Sequence, residues 1–346
     1  MRINRIIANR NTNAEKDSRR SNLLRLALKY RDTCQKYDFL ERLNMSIINT
    51  AAITADQLKN TSPQEFARHL AGEPEEAAIW INAAAEQGLP DAQALLGQIL
   101  LDGRGIRLDM ALARDWFAKA AEQNHLMGMN MLGRCYELGW GGDVDLPAAA
   151  QLFKRAAELG FEWGMYNYAN LLLHGNGVAK DETQALEWYR KAAALGNAKS
   201  LNVVGRFYEE GWLVEADITK AAGLYRQAAE GDDFRGQYNY ALLLAEHGQL
   251  ETAIPWMERA LQLAHLKFTR TMAENLTTFA NPEFQRIGML AHQKCCELGS
   301  ADDYYRHGLA LQNEKSLYCN NVLSQTWLMR AAAQGHEKAR AMLAIA

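Results

Sequence analysis

The chain has 346 residues, of which 48% are hydrophobic and 23% are charged, with only 6 prolines. This composition excludes an intrinsically disordered chain and is typical of a folded, helix-rich protein. The net charge of −3 excludes a strong overall attraction to nucleic acid or to an anionic membrane.

The first 36 residues carry an excess of basic side chains. They hold ten Lys and Arg against three acidic residues, a net charge of +7, so the rest of the chain carries −10 (−3 minus +7). Residues 1–20 lack apolar periodicity and are predicted to be a disordered basic leader. Leucines at helical spacing predict a helix from Ser21 to about Asn44, and residues 21–60 are interpreted as N-terminal capping helices.

A helix start signal follows in the stretch Ser-Pro-Gln-Glu at 62–65. The serine stands at the cap position, the proline at the first helical position and the glutamate three residues after the serine. This signal predicts a helix to Ala71 that pairs with the helix holding Trp80. Residues 61–88 are therefore predicted to form a first, degenerate helix pair.

From residue 77 to residue 232 one pattern returns every 36 residues. An Ala-Ala dipeptide marks each return, with a bulky residue four positions before it and a small residue three positions earlier still. A fixed period of this length predicts stacked helical units, because no single unit can bury its own apolar face. The dipeptides begin at Ala84, Ala120, Ala156, Ala192 and Ala228.

One repeat illustrates how the sequence encodes the two helices of each unit. Apolar residues from Ala92 to Leu100 follow helical spacing, and Gly103 and Gly105 then predict the end of this first helix. Asp109 is a cap for the second helix. The predicted buried stripe of that helix is Ala113, Trp116, Phe117 and Ala120.

The pattern A-xx-LG-xx-Y-xx-G-x-G followed by A-xx-W-xx-AA-xx-G resembles the Sel1-like repeat, a relative of the tetratricopeptide repeat. The resemblance implies an all-α, right-handed α-solenoid of stacked antiparallel helix hairpins, with four such repeats in residues 89–231. It also implies an interaction scaffold, most often bacterial. The residues that carry it include Leu132-Gly133, Tyr136, Gly139, Gly141, Ala149, Ala156-Ala157 and Gly160.

The period changes after the fourth repeat. From Ala228 to Ala260 there are only 32 residues (260 − 228), because the loop between the helices contracts. Residues 232–335 are therefore predicted to form a tetratricopeptide-like unit followed by degenerate ones, with a helix start at Asn281. Residues 336–346 are predicted to be a C-terminal capping helix.

The five cysteines do not recur in register with the repeats. The disulfide-stapled pattern of some secreted Sel1-like proteins is missing, which favours a reducing, cytoplasmic compartment. Cys295-Cys296 lies on the register of the Ala-Ala dipeptide and is predicted to be a small core element. Carboxylates near helix ends, such as Asp232-Asp233, are interpreted as solvated charge.

In tetratricopeptide arrays the first helix of each pair lines the concave face, and the resemblance places polar residues of this chain there. Arginine binds carboxylate with two donors, asparagine pairs with peptide backbone, and tyrosine offers rigid contact area. An ordinary solvated face is the alternative interpretation. The candidate groove residues are Asn130, Arg134, Tyr166, Asn170, Asn202, Arg206 and Tyr238.

Three tryptophans lie off the repeat register. Trp163 precedes a first helix, while Trp140 and Trp212 lie in loops between helices. Exposed aromatic residues anchor interfaces, and Trp163 is therefore included among the candidate partner-binding residues. Packing of the loops on neighbouring elements is the alternative.

No constellation of catalytic, metal-binding or cofactor-binding residues stands out. The Gly-Trp-Gly-Gly stretch at 139–142 follows no strand and precedes no Gly-Lys-Ser/Thr, and the eight histidines lack metal-ligand spacing. We therefore expect a non-enzymatic adaptor without a cofactor or membrane span, bound to a protein or peptide rather than to nucleic acid.

Two other functions stay open on sequence alone. A small-ligand-binding or hydrolytic Sel1-like protein would be indicated by a deep pocket with a perturbed carboxylate below residues 266–299. A module docked on nucleic acid or membrane through residues 1–36 would show salt-sensitive binding. For the preferred function, substitution of Arg134 and Arg206 by Ala is expected to abolish partner capture and preserve helicity.

Overall fold

The computed structural model describes residues 53–297, 299–314 and 316–345, and within them the chain forms eighteen α-helices and no strand. The expected all-α repeat fold is confirmed. The chain divides into two compact units, Met1–Asp181 and Glu182–Ala346. The predicted leader and the helix predicted from Ser21 to Asn44 lie outside the described residues.

The first unit contains eight described helices, most of which are joined as successive hairpins. They are α1 (Ala55–Asn60), α2 (Pro63–Leu70), α3 (Pro74–Glu86), α4 (Pro90–Asp102), α5 (Met110–Glu122), α6 (Leu126–Leu138), α7 (Leu146–Glu158) and α8 (Glu162–His174).

The second unit contains the other ten described helices. They are α9 (Glu182–Ala194), α10 (Ala198–Glu210), α11 (Ile218–Glu230), α12 (Phe234–Glu246), α13 (Leu250–Leu263), α14 (Leu266–Leu276), α15 (Pro282–Glu297), α16 (Ala301–Leu311), α17 (Asn321–Ala333) and α18 (Glu337–Ile345).

Helices of one hairpin approach closely because a small residue on the first helix faces a large one on the second. A methyl group added at Gly133 of α6 would lie 2.6 Å from Phe153 of α7. The rings at this position are fully buried and form the centre of each hairpin. The same pairing of a glycine with a ring occurs at Gly97–Phe117 and Gly205–Tyr225, and at Gly308 the buried Leu328 takes the place of the ring.

The paired glycines of the loops have two separate roles. Gly139 ends α6 with φ of 70°, a conformation that costs glycine little. Gly141 has φ of 73°, and a Cβ there would lie 2.3 Å from the backbone oxygen of Met110 in the preceding hairpin. The loop glycines are therefore structural, as expected.

The predicted start signals are present as caps. Ser62 Oγ accepts a hydrogen bond from the Glu65 amide at 3.2 Å, and the Glu65 carboxylate accepts one from the Ser62 amide at 2.9 Å. Helix α2 ends at Leu70, one residue before the predicted end. Asn281 likewise accepts hydrogen bonds from the amides of Glu283 and Phe284 at the start of α15.

Cys295 and Cys296 belong to the core of the second unit. Their exposed fractions are 2% and 7%, and both are free thiols. Burial raises the pKa of Cys295 to about 11 and that of Cys296 to about 12, which suppresses the reactive thiolate. The predicted packing role is confirmed.

Candidate partner-binding faces

The eight predicted partner-binding residues all lie on first helices of the hairpins, and Trp163, which was expected to precede a first helix, is the second residue of α8. They are Asn130 and Arg134 on α6, Trp163, Tyr166 and Asn170 on α8, Asn202 and Arg206 on α10, and Tyr238 on α12.

Three of these side chains are buried. Asn130 is 6% exposed, Asn202 is 3% exposed and Tyr238 is 6% exposed. The expectation that they face an open groove is therefore wrong. The reason is that each uses its polar atom in a hydrogen bond to the next first helix, which closes the space around it.

The hydrogen bonds link neighbouring first helices within each unit. The Asn167 amide donates to Asn130 Oδ1 at 2.8 Å in the first unit, and the Asn239 amide donates to Asn202 Oδ1 at 2.9 Å in the second. The Asn275 amide donates to the Tyr238 hydroxyl at 3.3 Å. Buried polar groups satisfied in this way hold the helices in one alignment.

The three donor asparagines were not identified from the sequence. Each lies 37 residues after its acceptor. Asn167 and Asn239 come directly after residues that were selected for the groove. A signal was available, because Asn167, Asn239 and Asn275 share one register of the 36-residue period (239 − 167 = 72 and 275 − 239 = 36).

The exposed part of the predicted site in the first unit lies on α6 and α8. Trp163 is 36% exposed and meets Tyr166 edge-on, with ring centres 6.2 Å apart. The Asn170 amide donates to the Tyr166 carbonyl at 3.0 Å. We call Arg134, Trp163, Tyr166 and Asn170 the first-unit face.

Arg134 retains donors for a partner. Its side chain is 37% exposed, and its Nε lies 3.8 Å from a Glu137 oxygen, beyond hydrogen-bonding distance. This Nε is itself buried and has no hydrogen-bond partner among the described residues, so only the exposed remainder of the side chain faces a partner. Burial raises the pKa of Glu137, and the charge of Arg134 opposes that rise. The arginine can therefore reach a partner carboxylate without breaking a strong internal ion pair.

Arg206, in the second unit, is more exposed. Its guanidinium lies 2.9 Å from a Glu210 oxygen one turn away on α10, and 55% of its side chain is exposed. Exposed ion pairs of this kind contribute little to stability because water screens them. Arg206 is therefore available at the surface.

The two loop tryptophans pack on neighbouring residues. The Trp212 ring stacks on Phe207, with centres 4.6 Å apart, and its Nε1 donates to Glu182 at 3.2 Å. Trp140 lies against the core of the first unit, with the Arg134 guanidinium 5.3 Å from its ring centre. For these two residues the structure shows the alternative of local packing.

A buried carboxylate beside the irregular 266–299 segment forms a structural ion pair. Arg270 donates two hydrogen bonds of 2.7 Å to Asp303, which is 2% exposed. Burial alone would raise the pKa of Asp303, but the hydrogen bonds of Arg270 and Ser300 outweigh it and hold the pKa below its usual value. Open clefts of about 570 and 670 Å³ lie elsewhere, beside Trp80 and beside Arg114.

The sequence model of the Sel1 repeat family matches residues 72–89, 90–125, 126–161, 164–197 and 198–233. The segments 90–125, 126–161 and 198–233 coincide with the hairpins in which a glycine faces a buried ring. Residues 72–233 are Sel1 repeats.

Solved structures agree with this assignment. The chain is similar to a protective antigen of uropathogenic Escherichia coli with an SLR fold, at 27% identity and a TM-score of 0.53 over 78% of this chain. It spans only 59% of that antigen. A Sel1 repeat protein from Oxalobacter formigenes has 25% identity and a TM-score of 0.56, over 65% of this chain and 96% of its own.

Three further findings are negative. No curated protein has significant similarity to the chain. Among the described helices, none combines the length and the apolar character needed to cross a bilayer. The described residues also contain no group of three or more His, Cys, Asp or Glu side chains arranged to hold a metal ion.

Proposed function

We propose that this chain is a non-enzymatic scaffold that binds a segment of a partner protein along the first helices of its Sel1 repeats. Sel1 repeats typically serve as scaffolds for protein–protein interaction. The observation that carries the proposal is the first-unit face, where an exposed tryptophan, a tyrosine and a loosely paired arginine lie on neighbouring helices.

Rigidity supports this function. The Asn130–Asn167 hydrogen bond holds α6 and α8 in one alignment beneath the exposed side chains. A preformed surface loses little conformational entropy when a partner binds. Aromatic residues and arginine are the side chains that most often dominate binding energy at interfaces.

The compartment is also a proposal. The described cysteines, Cys135, Cys295, Cys296 and Cys319, are free thiols. Free buried thiols are typical of proteins that fold in a reducing environment, so we propose a cytoplasmic location.

Site-specific photocrosslinking tests the proposed face. A photoreactive amino acid at Trp163 is expected to crosslink a partner in native cells, because this position lies at the exposed edge of the face. The same group at Gln151, exposed on the second helix α7, is the matched control.

Arg134→Ala is expected to reduce the crosslink at position 163 by about tenfold, as for loss of one charged hydrogen bond at an interface. Circular dichroism should remain unchanged because Arg134 lies at the surface. Equal crosslinking from positions 163 and 151 would contradict the proposal.

A further inference from the structure

The second unit contains an arginine that lies against two aromatic rings. Arg235 is the second residue of α12, and its guanidinium carbon lies 4.7 Å from the ring centre of Phe234. The same atom lies 5.5 Å from the ring centre of Phe268 on α14. The two rings come from adjacent first helices and restrict the position of the guanidinium, so its N–H donors point in defined directions.

This arginine has no carboxylate within ion-pair distance among the described residues. Its Nη2 instead lies 3.4 Å from His265 Nε2. Most other arginines of the second unit are paired with Asp or Glu. Those arginines are Arg206, Arg226, Arg259, Arg270, Arg286 and Arg306.

The acidic residue closest in sequence, Asp233, interacts with the charge of Arg235 but forms no ion pair with it. Asp233 is 5% exposed and caps α12 by accepting a hydrogen bond from the Gly236 amide at 2.8 Å. Burial raises the pKa of Asp233, whereas the charges of Arg235 and Lys199 act to lower it. The interpretation of Asp233 as solvated charge is wrong, because its side chain is enclosed by the helix start.

Further positive charges lie at the same helical position in neighbouring repeats. Lys199 is the second residue of α10, and Lys267 is the second residue of α14. Burial lowers the pKa of His265, and the charges of Arg235, Lys199 and Lys267 lower it further. His265 therefore experiences the positive charges of three side chains. We call Lys199, Arg235 and Lys267 the basic cluster.

A cation at this position is unfavourable for the helix itself. The first turn of a helix carries partial positive charge and favours acidic residues. The equivalent positions in the first unit are occupied by Asp91, Met127 and Trp163, none of which is cationic. An anion bound beside Arg235 would relieve the repulsion of this cation from the start of α12.

We propose that the basic cluster binds carboxylates of an acidic segment of a partner protein, with Arg235 as the central contact. This inference rests on the proposed scaffold function and specifies the chemistry of its partner. A guanidinium binds a carboxylate through two parallel hydrogen bonds, and the rings of Phe234 and Phe268 offer apolar surface beside it. The net charge of −10 outside residues 1–36 disfavours a long polyanion such as nucleic acid.

A binding assay with a defined probe tests the site. The probe is a short fluorescein-labelled peptide of alternating glutamate and leucine, and its control has glutamine in place of glutamate. Fluorescence anisotropy with the full chain is expected to show binding of the glutamate peptide only. Arg235→Gln should weaken that binding by at least about tenfold, as for loss of a charged hydrogen-bond pair.

Arg226→Gln is the matched control, because Arg226 lies on the neighbouring helix α11 and pairs with Glu230 at the surface. This variant should bind the glutamate peptide like the wild type. Equal binding of the glutamine peptide, equal binding by Arg235→Gln, or no binding by the wild type at about 1 mM peptide would each overturn the proposal. Tighter Arg235-dependent binding of a labelled single-stranded oligonucleotide would also overturn it.

Proton linkage supplies a second readout. A bound carboxylate offsets the positive field at His265, so the complex takes up a proton more readily than the free protein. Affinity for the glutamate peptide is therefore expected to rise as the pH falls through the range in which His265 titrates in the complex. His265→Gln should remove this dependence and retain binding, whereas an unchanged pH dependence would contradict the site.

Failure of this site is distinguishable from failure of the scaffold function. If Arg235→Gln preserves the Trp163 crosslink and the glutamate peptide does not bind, the acidic-partner inference is wrong and the scaffold function stands. If position 163 gives no specific crosslink, the scaffold proposal fails on its own test.

Discussion

Single residues set how closely the helices of this protein approach. At Gly133 the absence of a side chain leaves room for the Phe153 ring, which is fully buried. Glycine within a helix costs about 1 kcal/mol relative to alanine, so its presence here is explained by packing. The exposed Gly223 of α11 differs, because nothing lies within 4 Å of a Cβ added there.

Gly133→Ala is expected to destabilise the protein by roughly 1–3 kcal/mol, since the new methyl group would overlap the Phe153 ring. Gly223→Ala should instead stabilise it by about 0.5–1 kcal/mol through the higher helix propensity of alanine. Urea unfolding measures both changes. Changes in unfolding free energy of the same sign for the two variants would contradict the packing explanation. Adding Phe153→Leu to the Gly133→Ala variant should recover part of the lost stability, because the smaller side chain leaves room for the methyl group.

Two histidines of the second unit are buried next to each other. His292 and His307 are 5% and 3% exposed, with ring centres 5.7 Å apart. Burial lowers the pKa of each to about 4, and the charge of His307 lowers that of His292 further while Asp303 opposes it. Both rings are therefore neutral in the folded protein at physiological pH.

Stability is expected to fall with pH because of this pair. Between about pH 6.5 and 4 the unfolded chain binds protons that the folded state excludes, so unfolding becomes more favourable as the pH falls through this window. The loss is on the order of 3 kcal/mol per ring by pH 4. The free energy of unfolding, measured with urea across this pH range, should decrease steeply with falling pH in the wild type. The decrease should be much smaller in the His292→Gln, His307→Gln double variant.

The matched control replaces His174, which is exposed at the end of α8, with glutamine. This variant should retain the slope of the wild type. If the decrease of stability with falling pH persists in the variant that lacks both buried histidines, these residues are not its cause.

Two elements of the irregular C-terminal repeats are joined by an ion pair with a buried carboxylate. Arg270 on α14 holds Asp303 on α16 through two hydrogen bonds of 2.7 Å. Removal of one partner of such a pair leaves an uncompensated buried charge. The surface pair Arg226–Glu230 lies within one helix and joins no elements.

Arg270→Ala is therefore expected to destabilise the protein by about 3–5 kcal/mol near neutral pH, whereas Arg226→Ala should cost less than about 1 kcal/mol. Thermal unfolding of the two variants provides the comparison. If Asp303→Asn restores the stability of the Arg270→Ala variant, the unpaired carboxylate is the cause of the loss. Similar losses of stability for Arg270→Ala and Arg226→Ala would refute this explanation.

At the scale of the whole molecule, the two units contain separate core thiols. Cys135 is fully buried in the first unit, and Cys295 is 2% exposed in the second. Arrays of repeats interact mainly with their neighbours, so distant parts unfold with their own stabilities. The buried pair His292 and His307 lies entirely in the second unit and makes its stability the more sensitive to acid.

Thiol labelling follows the units separately. In urea at about pH 5, Cys295 and Cys296 should react with dithiodipyridine at lower urea than Cys135, because acid penalises the second unit. At about pH 7.5 the two labelling midpoints should move closer together, since the histidines are then neutral in both states. Mass spectrometry identifies the labelled cysteines. A difference between the two labelling midpoints that does not change with pH would disprove the link between the buried histidines and the acid sensitivity of the second unit.

The helical repeats follow from the sequence alone, because their determinants are local and recur every 36 residues. Alanine, glycine and aromatic positions define the hairpins, and caps such as Ser62 and Asn281 act within three residues of themselves. Only the tertiary structure decided which polar side chains remain available to a partner. Asn130 is buried by an asparagine 37 residues away, and Arg235 is positioned by a ring on the next first helix. Such contacts depend on how neighbouring helices align, which the spacing of residues along one helix does not determine.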